Sequence, residues 1–308
     1  MDRPGDPDPG RGAPVSRGEP GRRSASESGS APSPTLGLAL SGGAVLGSVH
    51  IGVLKALDEA GVEVTHLAGT SMGALIASLY AFGRSGVEIE AFAGDLRWPD
   101  LTRLAPSKLG LLSHEKLQRT LKDHLGDVRL EDAPIPLALV ALDISTGEKV
   151  VMTRGDVATA ATASAAFPGI FIPVERDGRL LVDGGLLENL PLTPLREWGV
   201  DRIVAVDAYL GMTFHRPGNI LELLTNAVRM ILANSARTEV SVGDTLITPD
   251  LHGFSPTQLK DIPLLVRVGY RAAQEKMEEI LRAPPGPVVP SVSASGASPR
   301  PAEPGANP

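Results

Sequence analysis

Apolar positions along this chain fall into short runs separated by glycine-rich turns and stretches of helical spacing, and the first run sets the grammar. Leu36–Leu40 is apolar throughout, ends in Ser41-Gly42-Gly43, and is followed by a helix-like stretch from Val45 to Ala60 that Gly61 closes. Strand, glycine loop and helix stand in that order. Val64–Ala68 repeats the pattern, with Gly69-Thr70-Ser71-Met72-Gly73 as its loop and Ala74–Phe82 as its helix. Further strands are predicted over Leu137–Leu142, Lys149–Thr153, Arg179–Val182 and Arg202–Val206, with helices between several of them. Such alternation implies a three-layer α/β/α fold around a mostly parallel sheet. Ligands usually bind such sheets at the carboxyl ends of the strands.

Two hairpins interrupt the pattern. Thr146-Gly147 separates the Leu137 and Lys149 strands, and Asp177-Gly178 separates Phe171–Glu175 from Arg179–Val182; both dipeptides suit tight turns. The second hairpin delivers Asp183 to a strand end. Leu117, Leu121 and Leu125 recur at helical spacing, the stripe that any surface helix shows, and core packing is favoured over a lipid-facing lid. Ile220–Val240 and Leu264–Arg282 read as amphipathic cover.

Composition trims the chain to one domain. Of 308 residues, 42% are hydrophobic, enough for a core, but seven of the 27 prolines fall in 1–34 and eight in 283–308. Those segments read as a disordered Pro/Gly/Ser-rich leader and a disordered Pro/Ser-rich tail. The region between them, 35–282, suits one large α/β domain. Charges within each tail cancel, so the net −7 sits on the core, and an acidic core argues against nucleic acid. The absence of cysteine excludes disulfides, thiol catalysis and Cys-ligated metal. No metal or cofactor is expected. Segment 1–34 lacks the apolar stretch of a secretory signal, so a cytoplasmic location, with peripheral contact at a membrane, is the expectation. Thr35–Leu54 and Val64–Gly83 are uncharged for nearly membrane-spanning length, but Gly, Ser and Thr interrupt both, which favours strand, loop and helix over a transmembrane segment.

Gly69-Thr70-Ser71-Met72-Gly73 fits G-x-S-x-G, the nucleophile elbow, in which a serine sits on a tight strand-to-helix turn and any Cβ at the glycines would strike neighbouring backbone. The pattern alone is weak, and its bland reading is a serine capping a helix. An apolar strand before it and an alanine-rich helix after it sharpen the case for a nucleophile. Ser41-Gly42-Gly43-Ala44 opens the preceding helix and offers unpaired N–H groups to an oxyanion or a phosphate. The dinucleotide fingerprint fails, because Ala44 occupies the place of its second glycine and no acid ends the next strand. For a base, His50, His66 and His124 lie inside predicted elements and read as structural, while His114 stands near a helix start. His215 and His252 follow Asp183 and Asp207 in loop-like segments, leaving a Ser-His-Asp order open. The other candidate is Asp183 itself, in Leu181-Val182-Asp183-Gly184-Gly185, where two glycines let a second backbone approach.

Four blocks taken together are more specific than any one. Gly42-Gly43-Ala44-Val45-Leu46-Gly47 running into His50–Leu57, then Gly69–Gly73, then Ala163-Ser164-Ala165-Ala166-Phe167-Pro168-Gly169 with Phe171 and Pro173, then Asp183-Gly184-Gly185 with Asn189 and Pro191, closely resemble the patatin-like phospholipase family. A weaker match extends to Gly269-Tyr270. The resemblance implies a serine lipid acyl hydrolase of phospholipase A, lysophospholipase or esterase type. It implies Ser71 as nucleophile, Asp183 as base and the backbone amides of Gly42, Gly43 and Ala44 as the oxyanion hole, with a lipid or ester as substrate. The alternatives carried with it are a noncatalytic lipid-binding or regulatory protein on the same fold, a Ser-His-Asp esterase, and an acyltransferase working through the same acyl-enzyme. The family's usual loop reads G-G-G-x-R-G. Here Ala44 replaces the third glycine, a mild change for negative φ, and Leu46 replaces the basic residue, which predicts an active but slow enzyme that Leu46→Arg would speed by up to roughly tenfold.

Overall fold

The computed structural model describes residues 34–210, 216–235 and 244–282. Strand β1 (Leu36–Leu40) passes through a 3-10 turn at Ala44–Ser48 into α1 (Val49–Glu59). Next come β2 (His66–Thr70), α2 (Met72–Ala81), α3 (Gly86–Asp95) and the single turn α4 (Trp98–Leu101). A small ribbon of β3 (Arg103–Leu104) and β4 (Leu112–Ser113) leads to α5 (Glu115–Leu125). Strands β5 (Leu137–Asp143) and β6 (Glu148–Met152), helix α6 (Val157–Ser164), strands β7 (Val174–Arg176) and β8 (Arg179–Asp183), and the short helices α7 (Gly185–Glu188) and α8 (Thr193–Glu197) follow. The order ends with β9 (Arg202–Val206), α9 (Ile220–Ser235), β10 (Thr245–Ile247) and α10 (Ile262–Leu281). The chain is thus an α/β protein with helices on both faces of a mixed, mostly parallel sheet.

The sheet runs β10-β9-β1-β2-β5-β8-β7, and its first five strands are parallel. Alternation along these strands sorts two cores of different character. Leu36, Leu38 and Leu40 of β1, Leu67 of β2, Leu137 and Leu139 of β5, and Val204 and Val206 of β9 join the large cluster with α1, α2, α6 and α10. Their neighbours Ala39, Ala68, Ala138 and Ala205 face a second, shallower cluster built on Leu190, Leu192 and Leu195. Leucine on one face and alanine on the other let α7, α8 and the segment between them approach the sheet closely.

Helix α10 crosses α1 where glycines allow backbone contact: a Cβ on Gly52 would lie 1.9 Å from Val266 O, and one on Gly269 1.9 Å from Val49 O. The motif glycine of the last helix is therefore a packing residue. Leu121 is buried while Leu117 and Leu125 pack partly buried beside it, the core stripe expected of α5.

Several boundaries differ from the sequence reading. The stretch after Gly43 begins as a 3-10 turn and becomes α-helical only at Val49. The strand expected over Phe171–Glu175 is reduced to Val174–Arg176, because Pro173 has no N–H to give a ladder, and Phe171 keeps a lone bridge to Leu112. Strand β10 had no signal that the sequence reading used. Helix α9 is described to Ser235, so the remainder of Ile220–Val240 lies outside the described residues, as do segments 1–33 and 283–308. Among the described residues, no helix is long and apolar enough to cross a membrane.

The decisive feature is on one edge of β5. Its other edge is taken by antiparallel β6 from Leu139 to Asp143. The near edge is shared: β2 climbs it and stops with Thr70 opposite Val140, and β8 descends it and stops with Asp183 opposite Ala141. Two strands of opposite direction therefore meet end to end. Whatever follows Thr70 faces Asp183.

Candidate active site

Ser71 follows Thr70 directly, in a turn with φ 54° and ψ −120°. That is the left-handed half of backbone space, unfavourable for a residue with a Cβ. The turn is forced by its glycines: a Cβ on Gly69 would lie 2.6 Å from Gly73 O, and one on Gly73 2.1 Å from Leu40 O. The serine N–H donates to Ser164 Oγ at 2.9 Å, and Ser164 Oγ donates onward to Val140 O at 2.6 Å. Its hydroxyl lies close enough to Asp183 to favour the ionised carboxylate. Thr70 Oγ1 ties the strand end to Glu188 O at 3.0 Å.

Asp183 is 3% exposed. Burial pushes its carboxyl up to about 6, against the opposing pull of the nearby Ser71 hydroxyl and of the Gly185 N–H, which donates to Oδ1 at 2.9 Å. The glycines after it serve approach, as the sequence suggested. A Cβ on Gly184 would lie 2.3 Å from Val140 O, and one on Gly185 2.4 Å from Leu232 Cδ2 of α9. Asp183 N–H is in turn held by Ala166 O at 3.0 Å. Buried Tyr209 stands close enough that the Asp183 charge helps raise its phenol, after desolvation.

The glycine loop lies against Ser71: a Cβ on Gly42 would be 3.1 Å from Ser71 Cβ and 2.5 Å from Asn189 Oδ1. Gly42 N–H is spent on Asn189, at 3.2 Å from both its O and its Oδ1. Among the described residues, the next two amides, those of Gly43 and Ala44, meet no acceptor. The loop has its own footing. Ser41 Oγ accepts from Ala208 N–H and donates to Gly42 O, and His50 Nε2 donates to Ser41 O at 2.8 Å. Burial pushes His50 down to about 4, so it stays neutral and structural.

Two expectations about this loop are corrected. Ala44 has φ 47°, not a negative value, so the replacement of glycine is a strained one. Leu46 is 1% exposed within the main core cluster, so its side chain is a packing element and carries no information about a missing cation.

The histidine candidates are placed elsewhere. His252 is exposed on the turn after Asp250, and His215 lies outside the described residues. His66 pairs with Thr65, His124 with Thr120 O, and buried His114 stacks on Phe171 at 4.5 Å between ring centroids. Among the described residues none hydrogen-bonds Ser71. Asp207, the other acid of the Ser-His-Asp order, accepts from the Tyr209 and Leu210 amides at Oδ1, at 2.7 and 3.1 Å. Among the described residues no cluster of three or more His, Asp or Glu could hold a metal ion. Ser164 and Tyr209 escaped the sequence reading as individual site residues. Ser164 belongs to the Ala163–Gly169 block, whose spacing from Ser71 assigns it no role, and nothing local in the sequence points to Tyr209.

An uncharacterized NTE family protein of Mycobacterium tuberculosis (strain ATCC 25618 / H37Rv) is 37% identical over 221 residues, 70% of this chain and 61% of the relative. The neuropathy target esterase sws of Drosophila melanogaster is 33% identical over 56% of this chain and 13% of its own length. The lysophospholipase NTE1 of Saccharomyces cerevisiae is 32% identical over 56% and 11%. This chain spans about three fifths of the mycobacterial relative and little more than a tenth of the other two. Residues 38–196 match the patatin-like phospholipase family, a span that contains the glycine loop, the elbow serine, the Ala163–Gly169 block and Asp183. The chain belongs to the patatin-like phospholipase family.

Proposed function

We propose that this protein is a serine lipid acyl hydrolase that cleaves fatty-acyl esters through an acyl-Ser71 intermediate, with Asp183 as its only base. The observation that carries the reading is the end-to-end meeting of β2 and β8, which brings Ser71 to buried Asp183, a carboxyl that burial raises to about 6, beside two glycine-loop amides that meet no acceptor among the described residues. A carboxyl at its ordinary value, near 3.9, is a weak base at neutral pH, and burial strengthens it while leaving it ionised at pH 7. Ser71 Oγ attacks the ester carbonyl and its proton passes to Asp183. The carbonyl oxygen becomes an oxyanion that accepts from the N–H groups of Gly43 and Ala44. Gly42, whose amide is already engaged, supplies close approach instead of a donor. Collapse breaks the ester C–O bond, and Asp183 returns the proton to the leaving alcohol. Water then attacks the acyl-Ser71 carbonyl, Asp183 takes its proton, and the fatty acid leaves with Ser71 restored.

The catalytic domain we assign to 35–282, with 1–34 and 283–308 outside it; deletion of both should leave turnover unchanged. Peripheral membrane contact belongs to the same reading. Its support is α9, which covers Gly185 through Leu232 and exposes Ile220, Leu223, Leu224, Met230 and Ile231. Vesicle sedimentation of Leu223→Asp with Ile231→Asp should show weakened binding. The test of activity is hydrolysis of short-chain p-nitrophenyl esters and of phospholipid vesicles by the wild type beside Ser71→Ala. Turnover should fall at least about a thousandfold in the variant with folding unchanged. Undiminished turnover would end the reading.

A further inference from the structure

The Ala163–Gly169 block has so far been given no task in the reaction. It starts at the C-terminal end of α6, and two of its groups reach the two reacting residues from one short piece of chain. Ser164 Oγ accepts the Ser71 N–H at 2.9 Å and donates to Val140 O at 2.6 Å. Ala166 O, two residues on, accepts the Asp183 N–H at 3.0 Å. Val140 is the residue of β5 opposite which β2 ends, and Ala141, opposite which β8 ends, is its neighbour. The block thus spans the junction at which the two strands meet.

We propose that Ser164 is a positioning residue that holds Ser71 in the reactive turn and, through the two residues to Ala166, keeps its hydroxyl in register with Asp183. The physical need is specific. Because β2 ends at Thr70, the Ser71 amide has no strand partner, and an elbow at φ 54° needs an external acceptor to stay closed. A backbone carbonyl could accept that N–H but could not also satisfy Val140 O. A hydroxyl does both, since it accepts and donates at once. Ser164 is fully buried, so water does not substitute for it. Alanine at this position would leave a buried donor and a buried acceptor unpaired at the two ends of the junction.

The inference rests on the Ser71–Asp183 reading, and the experiment separates the two. Wild type, Ser164→Ala and Ser164→Cys are titrated with a fluorophosphonate probe, and kcat and KM are expressed per titratable site on a p-nitrophenyl ester. For Ser164→Ala the proposal expects kcat and the labelling rate constant to fall together by between about tenfold and a hundredfold, because misplacement of a reacting atom by a fraction of an ångström has effects of that size. KM should stay constant, and the midpoint of the pH profile should stay near that of the wild type, since Asp183 remains buried. Ser164→Cys, with a weaker donor and acceptor in a similar volume, should fall between the two. A merely structural role predicts fewer titratable sites with unchanged kcat per site. That result, or wild-type rates in Ser164→Cys should Ser164→Ala fail to fold, overturns the proposal. Absence of labelling at Ser71 in the wild type would instead remove the dyad reading itself.

Discussion

The loops after β1 and β2 have the same grammar, apolar strand, glycine turn and helix, and they end in opposite jobs. Each holds one non-glycine residue at positive φ, Ala44 at 47° and Ser71 at 54°. At Ser71 the unfavourable backbone presents a side chain, and the surroundings compensate: Ser164 takes the amide and buried Asp183 stands beside the hydroxyl. At Ala44 no side-chain group is used. What this loop offers is its backbone, two amides that meet no acceptor among the described residues, with Ser41 and His50 supporting the loop from below. In the proposed reaction the strain of the β2 loop serves the nucleophile, whereas that of the β1 loop is incidental to a methyl group. The difference teaches that a turn is assigned its role by what its neighbours satisfy, not by its own sequence.

The largest effect should come from the side-chain loop. Asp183→Asn keeps the shape but cannot take a proton, and turnover should fall by about 10²- to 10⁴-fold, while His252→Ala changes little. Steady-state kinetics on one ester distinguishes them, and equal losses in both would break the contrast. The backbone loop should respond to its footing instead. Leu46→Arg drives an unpaired charge into the core and should destabilise the fold by about 4 kcal/mol or more, read by urea denaturation. A folded, faster Leu46→Arg would restore a catalytic meaning to that position.

Smaller effects sharpen the comparison. A carboxyl whose folded value lies above its unfolded one favours the folded state when protonated, so that contribution is lost as pH rises from about 4 through about 6. Asp183→Asn should therefore be more stable than wild type at pH 8, by up to about 3 kcal/mol, and the advantage should vanish near pH 4. Thermal melts at the two pH values check the sign. Ala44→Gly relieves the other positive φ and should raise stability by up to about 1 kcal/mol with turnover retained. A large loss of activity there would mean that the methyl group shapes the oxyanion site.

Much of this site is legible in the sequence because its demands are steric and local. Gly69, Gly73 and Gly184 each face a backbone carbonyl or chain within 2.6 Å of where a Cβ would stand, and glycine is the only residue that meets that demand. The strand–loop–helix order around Ser71 follows from short runs buried over Leu36–Leu40 in β1 and from Leu67 to Thr70 in β2. What stays hidden is long-range. Ser164 reaches an amide 93 positions away, so its spacing carries no signal. The end-to-end meeting of β2 and β8 depends on register along β5, which two hairpins set jointly. The positive φ of Ala44 and the burial of Leu46 are tertiary outcomes, and a family pattern read by residue type predicted the wrong environment for both.

We propose that Asp183 alone activates Ser71, and the pH dependence of fluorophosphonate labelling at Ser71 separates that from every histidine-assisted route. In the wild type the rate should rise through about pH 6, level off above it, and keep that profile in His252→Ala and His215→Ala, while Asp183→Asn labels slowly with no rise. A profile that survives in Asp183→Asn, or disappears when either histidine is removed, would contradict it.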